Sequence, residues 1–313
     1  MKTITLTYPL IGIGEQFPVQ QQVMAIGQFD GLHLGHVSVI KRALELGRSL
    51  QLPVAVLTFH PHPKEVMGKG DYEGYLTPLG DKKQILEELG VDYLYVGEFT
   101  PEFSKVSPFD FVNNVLLPLQ VSTAVVGFDF RFGHMGEGNP ATLNPLSGGK
   151  IEVATVAPFL LNDEKVASSR IRAALKAGDP ETAQRLLGRP YRVRGTVVDG
   201  DKRGRTIGFP TANVGMSSKY VAPAKGVYAV RFGIGDEVFG GVMNTGVKPT
   251  FTDGTIKPTF ETHIFDFDRS IYGEEVWIDI VQYIRPERKF SGIDELVAQI
   301  AKDAEEARRI LDA

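Results

Sequence analysis

The hydrophobic pattern of this chain changes its period once, and that change constrains the fold more than any single motif. In the first half, apolar runs of strand length alternate with helical stretches. VMAIG (23–27) precedes a helical pattern from about Val37 to Leu50, VAVLTF (54–59) precedes DKKQILEELG (81–90), and YLYVG (93–97) precedes PFDFVNNVLL (108–117) and TAVVG (123–127). Buried strands separated by helices predict parallel βαβ units, hence a doubly wound α/β domain. Two short helices follow, SSRIRAALKAG and DPETAQRLLG, closed by Gly178 and Gly188. From Tyr191 to Arg285 the helical period disappears. YRVRGTVV, GVYAVRF, EVFGGVM, TFETHIF and VWIDIVQYI are short β-branched and aromatic segments separated by Gly, Pro and Asp, the spacing of an antiparallel β-barrel or sandwich. SGIDELVAQIAKDAEEARRIL then closes the chain as an amphipathic helix, with Ser291 and Asp294 as its expected capping pair and Ile293, Leu296, Val297, Ile300, Ala304 and Leu311 near one face. The expected domains are 1–187 and 188–313.

Composition removes several function classes. A net charge of −4 argues against a general binder of nucleic acid or membrane surfaces, which would carry a basic excess. With no cysteine there is no disulfide, no thiolate nucleophile and no sulfur-based metal site. MKTITLTYPL lacks the apolar core of a signal peptide and no long apolar run follows, so a soluble cytoplasmic protein acting on small molecules is expected, with a homo-oligomer left open.

GQFDGLHLGH (27–36) stands between the first expected strand and a helix. In open α/β sheets ligands lie beyond the carboxyl ends of the strands, where a helix start offers free N–H groups to an anion. Gly27, Gly31 and Gly35 permit close backbone approach, and His33 and His36 can donate to phosphate oxygens. A metal site built from these histidines with His60 and His62 is one alternative, and two solvated loop histidines are the other.

These residues also carry a resemblance. GQFDGLHLGH resembles the HxGH motif of the nucleotidyltransferase superfamily, and TFHPHP (58–63), VGFDFRFGHMGEGN (126–139) and ASSRIRAAL (167–175) resemble the other signatures of its flavin branch. GDKRGRTIGFPTAN (200–213), GVMNTGVKPTF (241–251) and TFETHIFDFDRSIYGEEV (259–276) are similar to riboflavin kinases. The ordered set resembles the prokaryotic bifunctional riboflavin kinase/FMN adenylyltransferase family, the FAD synthetases.

That resemblance implies ATP, riboflavin and FMN as substrates, FAD as product and Mg²⁺ as cofactor. In the first domain it implies adenylyl transfer to FMN, with His33, His36 and Arg172 catalytic and Gly27, Phe29, Asp30, Gly31, Gly35, Ser168 and Ser169 holding nucleotide phosphates. An arginine fork suits phosphate oxygens, although SSRIRAAL also reads as a plain helix start. The usual Ser-Ser-Thr is here Ala167-Ser168-Ser169, which removes one hydroxyl and the methyl of another. Flavin contacts are implied for Phe59, His62, Asp129, Phe130 and Arg131, while Phe59, at the end of an apolar strand, reads equally as core.

In the second domain the resemblance implies a lid of Gly200, Gly204 and Gly208 over the phosphates, and Mg²⁺ held by Thr211 and Asn213. Their hydroxyl and amide oxygens are hard neutral ligands on one face of an extended segment. Glu261 is implied as the base that takes a proton from a primary alcohol, and Asn244 as a flavin-binding group. By strand alternation Glu261 and His263 share one face and Phe260, Thr262 and Ile264 the other. Riboflavin would become FMN at the barrel and FMN would become FAD at the α/β domain. The alternatives are a riboflavin kinase whose adenylyltransferase half is impaired or only binds nucleotide, and a flavin sensor without turnover.

Overall fold

A computed structural model describes residues 1–10, 20–68, 72–200, 203–249 and 256–312. Two compact units emerge, Met1–Tyr72 with Thr77–Val166, and Glu73–Leu76 with Ala167–Ala313. The helices 168–176 and 180–187 therefore pack with the second unit.

The first unit holds a parallel six-stranded sheet of β1 (Lys2–Leu6), β2 (Gln22–Ile26), β3 (Val54–His60), β4 (Tyr93–Glu98), β5 (Val121–Gly127) and β6 (Glu152–Val156), in the order β1-β4-β3-β2-β5-β6. Helix α1 (Leu34–Leu50) and helix α2 (Leu79–Glu88) cover one face, where Val39, Ile40 and Leu86 meet Val23, Ala25, Val56 and Val125. The other face packs Met24, Ile26 and Val126 against Phe111, Val115 and Leu143. Successive residues of β2 thus enter opposite cores, which is why the strand is apolar throughout rather than alternating. The expected helix at 108–117 forms as Pro108–Phe111 running into a π-helical turn, Val112–Leu116.

One expectation needs correction here. The GQFDGLHLGH loop follows the second strand, because Lys2–Leu6 is itself a strand, pairing with β4 at the sheet edge. Its alternation of polar and apolar residues is short and easily overlooked. The shift matters for function. β2 is flanked by β3 and β5, so its carboxyl end is the point where the strand order reverses, the place where α/β sheets bind ligands.

In the second unit, helices α3 (Ser168–Lys176) and α4 (Pro180–Leu187) precede a closed antiparallel barrel. Its strands are β7 (Tyr191–Val198), β8 (Ala212–Met216), β9 (Gly226–Ile234), β10 (Glu237–Pro249), β11 (Ile256–Ile264) and β12 (Glu275–Arg285), in the order β8-β11-β10-β9-β12-β7. Tyr191, Tyr228, Phe232, Phe260, Ile278 and Ile280 are buried in these strands. The terminal helix α5 (Ile293–Leu311) lays Ala304, Ala307 and Leu311 on Val227, Ala229 and Val242, which alternate with the interior residues. Two details differ from the sequence reading. A single helical turn, Arg203–Thr206, interrupts the β region. Gly292 is the N-cap of α5, and Ser291 binds Glu295 Oε2 through its N–H (2.9 Å) and its hydroxyl (2.8 Å), so Glu295 rather than Asp294 completes the cap.

Candidate active sites

The first candidate site grows from the carboxyl end of β2. Three residues of its loop have left-handed backbone, Phe29 (φ 49°), Gly31 (φ 96°) and Leu32 (φ 40°). Only glycine takes that conformation without cost, so the two flanking residues hold strain that the surroundings must offset. Phe29, Asp30, Leu32 and His33 are all buried. His33 caps α1, its Nδ1 accepting the N–H of His36 at 3.2 Å. A ring nitrogen that accepts carries no proton, so the ring proton of His33 sits on Nε2. The two imidazoles stack at 3.6 Å and 15°, and Phe29 meets His36 edge-on at 5.4 Å. Side chains at Gly27 or Gly35 would crowd this package, a Cβ falling 3.0 Å from Phe29 and 3.3 Å from His33 respectively.

The other expected residues of this half are placed as follows. Phe59 is half-buried in an aromatic cluster with Phe99, Phe103 and Phe111. His62 caps the short helix Pro63–Val66 and stacks on Tyr72 at 4.8 Å. Asp129 pairs with Lys165, whose ammonium also lies 4.6 Å from the centre of the Phe128 ring. Phe130 stacks on Phe132 at 5.6 Å, and Arg131 is exposed. Ser168, Ser169 and Arg172 occupy the first turns of α3, in the second unit. No group of three or more His, Cys, Asp or Glu able to hold a metal occurs among the described residues, so His33, His36, His60 and His62 do not assemble into one.

Sequence reasoning missed a buried group beneath this loop. Lys82, on α2, is only 3 % exposed and donates to the Gln28 carbonyl (2.7 Å) and to Thr58 Oγ1 (2.9 Å). Burial pushes its ammonium down to about 8, partly opposed by the nearby Asp30 carboxylate. The charged form is disfavoured away from water, and an opposite charge offsets that only in part. His60 is also held below its ordinary value, by burial first and by Lys82 second.

The second candidate site is a row across three barrel strands. Glu261 on β11 is paired in register with Asn213 on β8 and with Asn244 on β10. Directly opposed residues share a face of the sheet, so the carboxylate lies between two amides. Asn244 Nδ2 donates to Glu287 Oε1 at 3.2 Å, and His263 Nδ1 lies 2.8 Å from the Pro210 carbonyl. Thr211, Asn244, Glu261 and His263 form one wall of a cavity of about 650 Å³. Arg285, Phe290, Leu296 and Ile300 supply further lining. Arg285 is fixed by Asp303, at 2.7 Å from Nη2 to Oδ2, and Arg288 stacks over Phe290 at 4.8 Å. Thr211 also borders a second cavity of about 500 Å³ with Phe267, Arg269 and Tyr272.

The glycines of the 200–213 segment have separate tasks. A Cβ on Gly200 would fall 2.2 Å from Asn213 Nδ2, and one on Gly204 2.3 Å from the Phe209 carbonyl, while Gly208 has φ 84°. Asp201 and Lys202 of this segment, and Thr250 and Phe251 of the next, lie outside the described residues.

Two family models match in tandem, FAD synthetase over residues 16–170 and riboflavin kinase over residues 187–311. The bifunctional riboflavin kinase/FMN adenylyltransferase of Bacillus subtilis is 45 % identical over 99 % of this chain and 98 % of its own length. The chain belongs to the bifunctional riboflavin kinase/FMN adenylyltransferase family. Proteins of the same description from Listeria monocytogenes and Escherichia coli are 44 % and 37 % identical, over 98 % and 94 % of this chain and equal shares of their own. A crystal structure described as a macrolide-efflux protein from Streptococcus pneumoniae has a TM-score of 0.88 at 33 % identity, covering 98 % of this chain and 99 % of that one. It shares this fold over its length.

Members of this family are enzymes of both kinds, and this chain matches both models. It is a transferase that makes FMN from riboflavin and FAD from FMN with ATP, and the reading with one live half is not supported. No helix of the described residues is long and apolar enough to cross a membrane.

Proposed function

We propose that each activity has its own site, phosphoryl transfer at the Asn213–Glu261–Asn244 row and adenylyl transfer at the loop after β2. The observation that carries this reading is the register of Glu261. A carboxylate centred between two amides, on the wall of a partly aromatic cavity, supports a base that receives one proton from a bound alcohol.

At the barrel, the terminal hydroxyl of riboflavin attacks the γ-phosphorus of ATP. The new O–P bond forms as the bond to ADP breaks, and the hydroxyl proton passes to Glu261. Phe290, Leu296 and Ile300 suit the flavin rings, and the cavity beside Tyr272 suits the nucleotide, with Thr211 at the border of both. Thr211 and Asn213 fit a divalent cation delivered by ATP. They offer two neutral oxygens, a set too sparse to hold a resident ion and sufficient beside phosphates and water. Mg²⁺ there would neutralise charge on the β- and γ-phosphates.

At the β2 loop, a phosphate oxygen of FMN attacks the α-phosphorus of ATP and pyrophosphate leaves. His33 Nε2–H, His36 and the N–H groups that open α1 face the growing negative charge. Residues 1–187 carry this activity and 188–313 the kinase, although α3 and α4 pack with the barrel. The protein acts in the cytoplasm on small molecules, without nucleic acid or membrane partners.

A fragment beginning at Ala167 tests this division. Folded by circular dichroism, it should form FMN with Mg-ATP and no FAD. A folded fragment that makes no FMN would show that the kinase site borrows residues from the first unit.

A further inference from the structure

The loop that carries His33 is strained on both sides of Gly31, and its backbone needs an outside restraint. α2 grips it twice. The N–H of Thr77, just ahead of the helix, donates to Asp30 Oδ1 at 3.1 Å. One turn further on, Lys82 reaches back to the Gln28 carbonyl, which also accepts from Thr58 Oγ1 at 2.9 Å. Gln28 itself donates to the Phe59 carbonyl at 3.1 Å, so the residue before the strained segment is tied to β3 as well.

We propose that Lys82 is a positioning residue for adenylyl transfer, a buried strut whose ammonium fixes the Gln28–Asp30 backbone and balances the Asp30 carboxylate beneath the phosphate loop. The inference rests on the assignment of adenylyl transfer to this loop. Lys82 touches neither substrate nor the reacting atoms. It acts through Gln28 and Asp30 on the placement of Phe29, His33 and His36.

Several features support this role over mere core packing. A buried ammonium is costly, and a methionine would fill the same volume without that cost. The strain at Phe29 and Leu32 persists only where the surroundings over-determine it, and the Lys82 bonds lie immediately before it in the chain. The groups facing the ammonium are Asp30 from the loop and His60 from the end of β3. His60, already held low, is neutral above pH 7 and adds no charge change there. Loss of the Lys82 proton would leave Asp30 uncompensated where a triphosphate must bind, so adenylyl transfer should fail on the alkaline side.

The test is the pH profile of FAD formation from supplied FMN and Mg-ATP in the full-length chain, with FMN formation from riboflavin as internal control. The parent should lose activity above a pH of about 8. Lys82→Met should lower kcat for FAD formation by about 10²-fold near neutral pH, the effect of a misplaced site, and should lack the alkaline limb. Lys82→Arg keeps the charge and should also lack it, which decides the matter if the methionine variant does not fold. FMN formation should be unchanged in both. A parent profile flat to about pH 9.5, or a variant that keeps the parent's alkaline limb, overturns the proposal. His36→Ala serves as control. If it makes FAD at the parent rate, the loop is not the adenylyl-transfer site and that assignment, rather than the strut, has failed.

Discussion

Gly200 leaves no room for a side chain against Asn213: a Cβ there would lie 2.2 Å from the amide nitrogen and 2.7 Å from the amide oxygen. The glycine is thus a condition for the position of a proposed metal ligand. Gly200→Ala should displace the Asn213 side chain, lower FMN formation by about tenfold or more and raise the Mg²⁺ concentration that supports it. FAD formation from supplied FMN should be unaffected. Steady-state rates of the two half-reactions across a Mg²⁺ series check both statements.

Asp303 is 4 % exposed and binds Arg285 through Nε (2.9 Å) and Nη2 (2.7 Å), with Gln299 donating to it at 2.7 Å. It ties α5 to the end of β12 beside the proposed flavin cavity. Asp303→Ala leaves a mostly buried guanidinium without its carboxylate, which costs about 3 kcal/mol. Thermal unfolding of the second unit should shift down by several degrees, and riboflavin should bind more weakly. An unchanged transition would show that α5 is held by its apolar face alone.

Lys82 makes a prediction for stability whose sign opposes that for activity. Its pKa falls from 10.5 to about 8 on folding. Below about 8 both states are protonated and the fold bears the full cost of the buried charge. Between about 8 and 10.5 the folded state has released the proton and the unfolded state has not, so this group makes the protein more stable as pH rises. In urea titrations the parent should gain on Lys82→Met across that window, while its FAD formation declines. A constant difference from pH 7 to 10.5 would contradict the assigned shift.

The fold was legible wherever a residue's neighbours in sequence are also its neighbours in space. The apolar run of β2 announced a strand buried on both faces, Gly188 after DPETAQRLL announced a helix end and is left-handed (φ 77°), and the alternation in TFETHIF separated Phe260 and Thr262, which the barrel buries, from Glu261 on the opposite face. The candidate sites were legible only as lists. That Asn213, Glu261 and Asn244 stand in one row depends on the register of three strands, which nothing local in GFPTAN or MNTG specifies. Lys82 escaped notice because a lysine in DKKQILEELG looks like the solvated side of a helix. Only tertiary packing turns it inward, whereas the adjacent Lys83 is partly exposed. Likewise the period of α5 announces only a closing amphipathic helix, and its Leu296 and Ile300 become cavity walls through the closed barrel.

The central claim is that two independent sites share one chain, and a crossed measurement on two full-length variants tests it most directly. Glu261→Gln and His36→Ala are each assayed by chromatography for FMN formation from riboflavin and, separately, for FAD formation from supplied FMN. Glu261→Gln should slow the first reaction by about 10² to 10⁴-fold and leave the second at the parent rate, since only a general base is lost. His36→Ala should do the reverse, with no change in bound metal by elemental analysis. Loss of both reactions in either folded variant, or a kinase rate within a few-fold of the parent for Glu261→Gln, would contradict the account.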